Sequence, residues 1–274
     1  MIDAHQHFWK FNPVRDAWIT PDMQVLRRDF LPEDLGPVLQ AAGVTGTVAV
    51  QADQSIEETR FLLELTRKHS FIKGVVGWID LKASDLSRRL EFFSEEEKLK
   101  GFRHIVQAES DPGFLLQDDF LRGVREIGSR GYSYDILIKY QQLPMAATFS
   151  GLLPDVPLII DHLAKPPIRL GDWKLWAEDL KKFANLTHVY CKVSGLVTEA
   201  DWAYWKPEDF RIYLEVVTGI FGTDRIIYGS DWPVCLLASD YPSQLNIIQE
   251  YFSAFSSDEQ AAVFHINAER FYRL

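Results

Sequence analysis

Cysteine is nearly absent: Cys191 and Cys235 stand in unrelated contexts and supply no disulfide framework. No apolar run approaches the roughly 18 residues of a membrane span. Positive charge is in deficit, with 29 Lys and Arg against 39 Asp and Glu and a formal net charge of -10, which counts against a nucleic-acid surface. Asp3, His5, Gln6 and His7 interrupt any apolar core of a secretory leader. There is no Gly-rich phosphate loop after the first strand, no repeat at solenoid period and no low-complexity tract. A reduced, cytoplasmic enzyme fits these absences, which count against a membrane or nucleic-acid partner.

Apolar residues are plentiful, at 47% of 274, enough for one large core. Apolar runs alternate with amphipathic stretches along the chain. Strands are expected at Ile2 onward, Val44 to Ala52, Ile72 to Leu81, Gly101 to Val106, Tyr134 to Lys139, Pro157 to His162, Val189 to Leu196 and Arg225 to Ser230. Val156-Pro157-Leu158-Ile159-Ile160 lacks polar alternates, as parallel strands covered on both faces do. Helices fall between them, for instance Ser84 to Lys98, a helix at Phe120, Leu121, Val124 and Ile127 stopped by Gly128 and Gly131, and Leu143 to Gly151. Ser55/Glu58 and Ser257/Gln260 have capping-box spacing. Eight strands alternating with helices predict an α/β chain folded as one domain over 1–274, a (β/α)8 TIM-type barrel with additional C-terminal helices. The polar segment Asn12 to Asp29, with Asp16, Trp18, Pro21 and Arg28, is too long for a plain connector and reads as functional.

In such a barrel chemistry gathers at the C-terminal strand ends. Those ends offer His5 and His7, Gln51, Asp80, Arg103 and His104, Lys139, His162, Ser194 and Asp231. His5 and His7, two apart on a strand, aim to one side and make the start of a metal site. His162 and Asp231 lie far away in sequence but at equivalent ends, so the barrel would bring the four to one mouth.

His-x-His on the first strand, His162 closing the sixth and Gly229-Ser230-Asp231-Trp232-Pro233 closing the eighth resemble the amidohydrolase superfamily. Gly101-Phe102-Arg103-His104-Ile105-Val106-Gln107, Asp161-His162-Leu163-Ala164-Lys165-Pro166-Pro167, Cys191 to Trp202 and Asn267-Ala268-Glu269-Arg270-Phe271-Tyr272 resemble its sugar-lactonase branch, the L-fuconolactonase and L-rhamnonolactonase group. The resemblance implies a hydrolase that opens an aldonolactone, with Asp231 as base for water and His162 and Arg103 assisting. By side-chain chemistry, Arg103 and His104 bind substrate oxygens, with Gln107 helping, or form a structural pair at the rim, and Trp202 and Trp205 either line the pocket or cover the barrel top. The alternative is a metal-dependent decarboxylase or another amidohydrolase-type hydrolase. Two-metal relatives carry a bridging Lys or Glu on the fourth strand and a His on the fifth; here stand Arg103, His104 and a fifth strand without His. One divalent ion, zinc by ligand type, on His5, His7, Asp231 and His162 is compatible with this set, and so is a metal-independent site.

Overall fold

The structure, a computed structural model, describes residues 1–274. Eight short strands follow in chain order, each parallel to its sequence neighbours: β1 (Ile2–Gln6), β2 (Gly46–Val50), β3 (Ile72–Gly77), β4 (Leu99–His104), β5 (Ser133–Ile136), β6 (Leu158–Ile160), β7 (Val189–Val193) and β8 (Ile226–Tyr228). The ring closes just beyond β8, where the Asp231 N–H donates to the His5 carbonyl at 2.8 Å and the His7 N–H to the Trp232 carbonyl at 2.7 Å. Helices α1 (Pro32–Ala41), α2 (Ile56–Lys68), α3 (Leu86–Glu91), α4 (Asp118–Ser129), α5 (Leu143–Gly151) and α6 (Lys174–Leu180) follow the first six strands. A single turn, α7 (Leu196–Glu199), and then α8 (Glu208–Phe221) follow β7, and α9 (Tyr241–Phe252) follows β8. The expected barrel is the observed one, and α10 (Ser257–Ala261) and α11 (Asn267–Tyr272) are its additional C-terminal helices. No helix is long and apolar enough to cross a membrane.

Inside the barrel, apolarity and charge are layered. Ile2, Ala4, Val48, Val50, Val76, Ile159 and Ile227 form the lower layer, and Ala268, Phe271 and Tyr272 of α11 close it from below. Above them the inward positions turn polar: His5, Arg103 on β4, Asp135 on β5, Asp161 after β6 and Lys192 on β7 are all buried. On β1 the change requires a shift of register between Asp3 and Gln6, so that Ala4 belongs to the apolar layer and its neighbour His5 still faces inward. Gly229 makes room for this, since a Cβ there would stand 2.6 Å from the His5 Cβ.

Local signals mostly hold, with informative slips. α4 buries Phe120, Leu121, Val124 and Ile127 as expected, but Gly128 stays inside the helix and the left-handed stop is Gly131. The helix expected from Ser84 to Lys98 ends at Glu91, ahead of the like charges Glu95, Glu96 and Glu97. The last capping box is Ser256 with Glu259, one residue earlier than the spacing suggested. At α2, Ser55 caps the Glu58 N–H, yet the Glu58 carboxylate turns away to accept from the Ala52 N–H at 2.8 Å and the Asp53 N–H at 3.3 Å.

That turn buries Glu58, and burial outweighs these bonds and Arg15, raising its carboxyl from 4.5 to about 7. Folded protein therefore holds this proton more tightly than unfolded chain. The resulting stabilisation is complete below 4.5 and is lost as pH rises through about 7. Glu58→Gln keeps the accepting oxygen without the charge. Its urea midpoint should match wild type at pH 4.5 and exceed it at pH 8, by on the order of 2–3 kcal/mol in unfolding free energy. A difference independent of pH would refute this account.

Candidate active site

Three imidazoles converge on one carboxylate oxygen. Asp231 Oδ1 lies 3.3 Å from His7 Nε2, 3.8 Å from His5 Nε2 and 3.9 Å from His162 Nε2. All four side chains are nearly or wholly buried. They meet because β1 delivers the two histidines, while the chain leaving β6 and β8 turns sharply to deliver the others. Asp231 has φ +58°, and His162, Leu163, Ala164 and Lys165 form an unbroken left-handed run with φ between +51° and +59°. Left-handed backbone in non-glycine residues costs roughly 1–2 kcal/mol per residue. The surroundings hold it: the Lys165 N–H bonds the His162 carbonyl at 2.7 Å, and the Trp176 indole N–H bonds the Leu163 carbonyl at 2.8 Å.

The protonation pattern follows from partners. His7 Nδ1 is 2.7 Å from the Val50 carbonyl, so it carries the hydrogen and leaves the Nε2 lone pair facing Asp231. A lone pair and a carboxylate oxygen 3.3 Å apart attract only through a proton or cation between them. Burial lowers His162 to about 4, against the pull of Asp231 and Asp161, so it is neutral at pH 7. Burial first, then the Lys192 and His162 charges, holds His5 well below the ordinary histidine range although Asp161 opposes this. Burial would raise Asp231, yet His162, the His7 contact and His5 outweigh it and set the carboxyl well below its usual range. Asp231 is thus a carboxylate beside the neutral imidazoles of His5 and His162.

Beneath this cluster lies a charge network that sequence reading missed. Arg103 donates to Asp161 Oδ2 at 3.0 Å, to the Gln51 carbonyl and toward His5 Nε2 at 3.2 Å. Lys192 Nζ stands 2.5 Å from Asp135 Oδ2, 3.1 Å from Asp161 Oδ1 and 3.2 Å from His5 Nδ1. The Tyr272 hydroxyl donates to Asp135 at 2.8 Å from below. Burial works to raise Asp161, but Lys192, His5 and Arg103 hold it well below the usual range. Asp161 and Lys192 stood within the lactonase-like motifs with no role assigned to them; a charge at an inward position of an otherwise apolar run was the available signal.

Above the cluster opens a cavity of about 300 Å³. His7, Arg103, Gln107, His162, Lys165 and Asp231 supply its polar wall, and Trp18, Ile105, Leu137 and Val234 belong to its apolar one. Gln107 Oε1 is buried there without a hydrogen-bond partner. Trp18 comes from the long segment after β1, pinned by the paired backbone bonds between Trp9 and Phe30. Three expected contacts do not line this cavity. His104 follows an inward Arg103 and so faces outward, stacked on Phe114 and 2.6 Å from Glu109. The Trp202 indole donates to the Thr198 carbonyl, and the Trp205 indole to the Ala238 carbonyl, covering the barrel's flank.

The donor set suits a metal ion: ligand atoms of His5, His162 and Asp231 all lie within 4.8 Å of one another, two nitrogens and a carboxylate oxygen fit for a divalent cation. Beside His5, however, the Arg103 and Lys192 cations already fill the interior, and a second divalent ion there would face their repulsion.

A parallel barrel whose strand ends carry these groups defines a hydrolase-type site, and comparison with known proteins agrees. The amidohydrolase family model matches residues 2–274, and the chain belongs to that family. It is 39% identical to a Burkholderia multivorans protein named L-fucono-1,5-lactonase, over 100% of this chain and 96% of that one. A protein of the same name from Burkholderia ambifaria is 35% identical, over 100% and 95%. A crystal structure of a Burkholderia multivorans amidohydrolase with bound zinc superposes with a TM-score of 0.97 at 39% identity, covering 100% and 99% of the two chains.

Two substitutions test the construction. Gly195 has φ +63°, and a Cβ there would sit 2.7 Å from His162 Nδ1 and 3.3 Å from Asp231 Oδ2. Gly195→Ala should lower turnover about 100-fold with the fold intact by circular dichroism, because a displaced catalytic group costs that much. Lys192→Met leaves buried Asp135 with no cation and Asp161 with Arg103 alone, and should cost about 3–5 kcal/mol in denaturant unfolding; a loss below 1 kcal/mol would count against the network.

Proposed function

We propose that the protein hydrolyses a sugar lactone to its sugar acid, with aldonolactones of the L-fucono-1,5-lactone type as its substrates. The convergence of three imidazoles on one carboxylate oxygen, at the floor of a cavity sized for one small molecule, carries this reading. The two full-length relatives named L-fucono-1,5-lactonase support the substrate class.

Ring opening needs an activated water, a stabilised oxyanion and a proton for the departing ring oxygen. Asp231 takes the water's proton as the oxygen attacks the lactone carbonyl, then delivers it to the ring oxygen as the C–O bond breaks. Its neighbours hold Asp231 ionised and so open to the proton, and a carboxyl kept this acidic gives that proton up readily to the ring oxygen. Arg103 and His162 donate toward the carbonyl oxygen as it gains charge. Gln107, whose buried carbonyl oxygen lacks a donor, accepts from a ring hydroxyl. The indole of Trp18 offers a flat apolar wall to the ring. A divalent ion on His5, His162 and Asp231 with His7 beside them, zinc being the first to test, would supply Lewis-acid polarisation of the carbonyl. Decarboxylation of an aromatic acid fits less well, since the one guanidinium lining the cavity is largely committed to Asp161 and Gln51.

A pH-indicator assay with aldono-1,5- and 1,4-lactones should show acid release by the purified enzyme. Asp231→Asn should reduce it about 1,000-fold or more; near-wild-type turnover in that variant would remove Asp231 from the base role. Chelation divides the mechanism: activity that persists assigns it to side chains, and activity lost and restored by zinc assigns it to an ion. Absence of acid release from every lactone sinks the functional reading.

A further inference from the structure

A charged side chain lining the cavity and the carboxylate paired with it have no part in the chemistry above. Lys165, last residue of the left-handed run, lines the cavity beside His162 and Asp231. Its Nζ faces Glu199 Oε1 at 3.5 Å, and each side chain is about a quarter exposed, at 27% and 26%. Glu199 closes the α7 turn, which starts right after Gly195, the residue packed against His162 and Asp231. The pair therefore spans the mouth from the β6 end to the β7 end, two neighbouring strands. Neither group makes any other side-chain bond. An ammonium with three donors and a carboxylate with two accepting oxygens share one long contact, so most of their hydrogen-bonding capacity is open.

We propose that Lys165 and Glu199 form a binding subsite for two adjacent hydroxyl groups of the substrate ring, a deepening that rests on the lactonase reading above. A vicinal diol fits because each hydroxyl both donates and accepts. One hydroxyl donates to the Glu199 carboxylate while its neighbour accepts from Lys165, and both bonds are charge-assisted. A lone cation would favour an anionic ligand; a carboxylate beside it removes that preference and selects a neutral polyol. The opened product carries a carboxylate, which Glu199 and Asp231 both repel, so the same pair favours the lactone over its acid. Burial lifts Glu199's carboxyl above its ordinary value against Lys165, with Asp231 adding to the rise, in keeping with its nearness to the catalytic carboxylate.

The test sets a hydroxylated aldono-1,5-lactone against δ-valerolactone, the same ring without hydroxyls. In wild type, Glu199→Gln and Lys165→Met, kcat/KM is measured for both substrates. The ratio of sugar lactone to bare lactone should fall about 30-fold in each variant, mainly through KM, as expected for one lost charge-assisted bond. An unchanged ratio in both variants overturns the subsite and leaves a structural ion pair. Glu199→Gln is isosteric and carries the test alone should Lys165→Met fail to fold. Should wild type hydrolyse neither lactone, the functional reading fails separately. The subsite is then judged by calorimetric binding of a six-carbon alditol, which must weaken in Glu199→Gln for the proposal to stand.

Discussion

A buried cluster of opposite charges fixes the geometry of everything above it. Arg103, Asp161, Lys192 and Asp135 span β4 to β7 inside the barrel, and Tyr272 ties them to the closing helix. Removing such groups from water is costly, and only tight mutual pairing offsets it. The cluster does little for net stability as a set compared with an apolar filling of equal volume. What it provides is a fixed field under His5: each ring nitrogen meets a cation near 3.2 Å, so His5 has little tendency to gain a proton. The apolar layer beneath lets this happen by keeping water away from the network's lower side.

Position above the cluster depends on backbone departures from regular structure. The register shift in β1 turns His5 inward against the parity that places Ala4 there. The four-residue left-handed run and Asp231 at φ +58° bring groups from β6 and β8 to the same oxygen. A regular strand continued to His162 or Asp231 would carry each side chain away along the barrel axis. The strained turns shorten the strands instead and fold the ends over the mouth.

These departures separate what the sequence reveals from what it conceals. Eight apolar runs alternating with amphipathic ones were enough for the barrel, since burial on both faces leaves that pattern. His5, His7, His162 and Asp231 were legible because residue type and strand-end position agree. The left-handed run was not: Leu163-Ala164-Lys165 carries no glycine or asparagine to announce it, and tertiary packing alone imposes it. His104, Trp202 and Trp205 misled for a different reason. Residue type suggested sugar contacts, but inward or outward parity on β4, and indole bonds to nearby carbonyls, decide where those rings go. Lys165 sat within a recognised motif, yet only the turn shows that it reaches the cavity.

The same geometry is compatible with an ion at this site and with none. His162 Nδ1 lies 2.9 Å from the Ser194 hydroxyl, which donates or accepts with equal ease. When Ser194 accepts, the hydrogen sits on Nδ1 and Nε2 offers its lone pair to a cation at Asp231. When Ser194 donates, Nε2 carries the hydrogen and can bond a carbonyl oxygen directly. His7 has no such freedom, because the Val50 carbonyl can only accept and so fixes its tautomer. Arg103 and Lys192 already stand where a second ion would bring its charge. On the proposed mechanism, an ion held by His5, His162 and Asp231 would polarise the carbonyl oxygen, and without one His162 and Arg103 would donate to it.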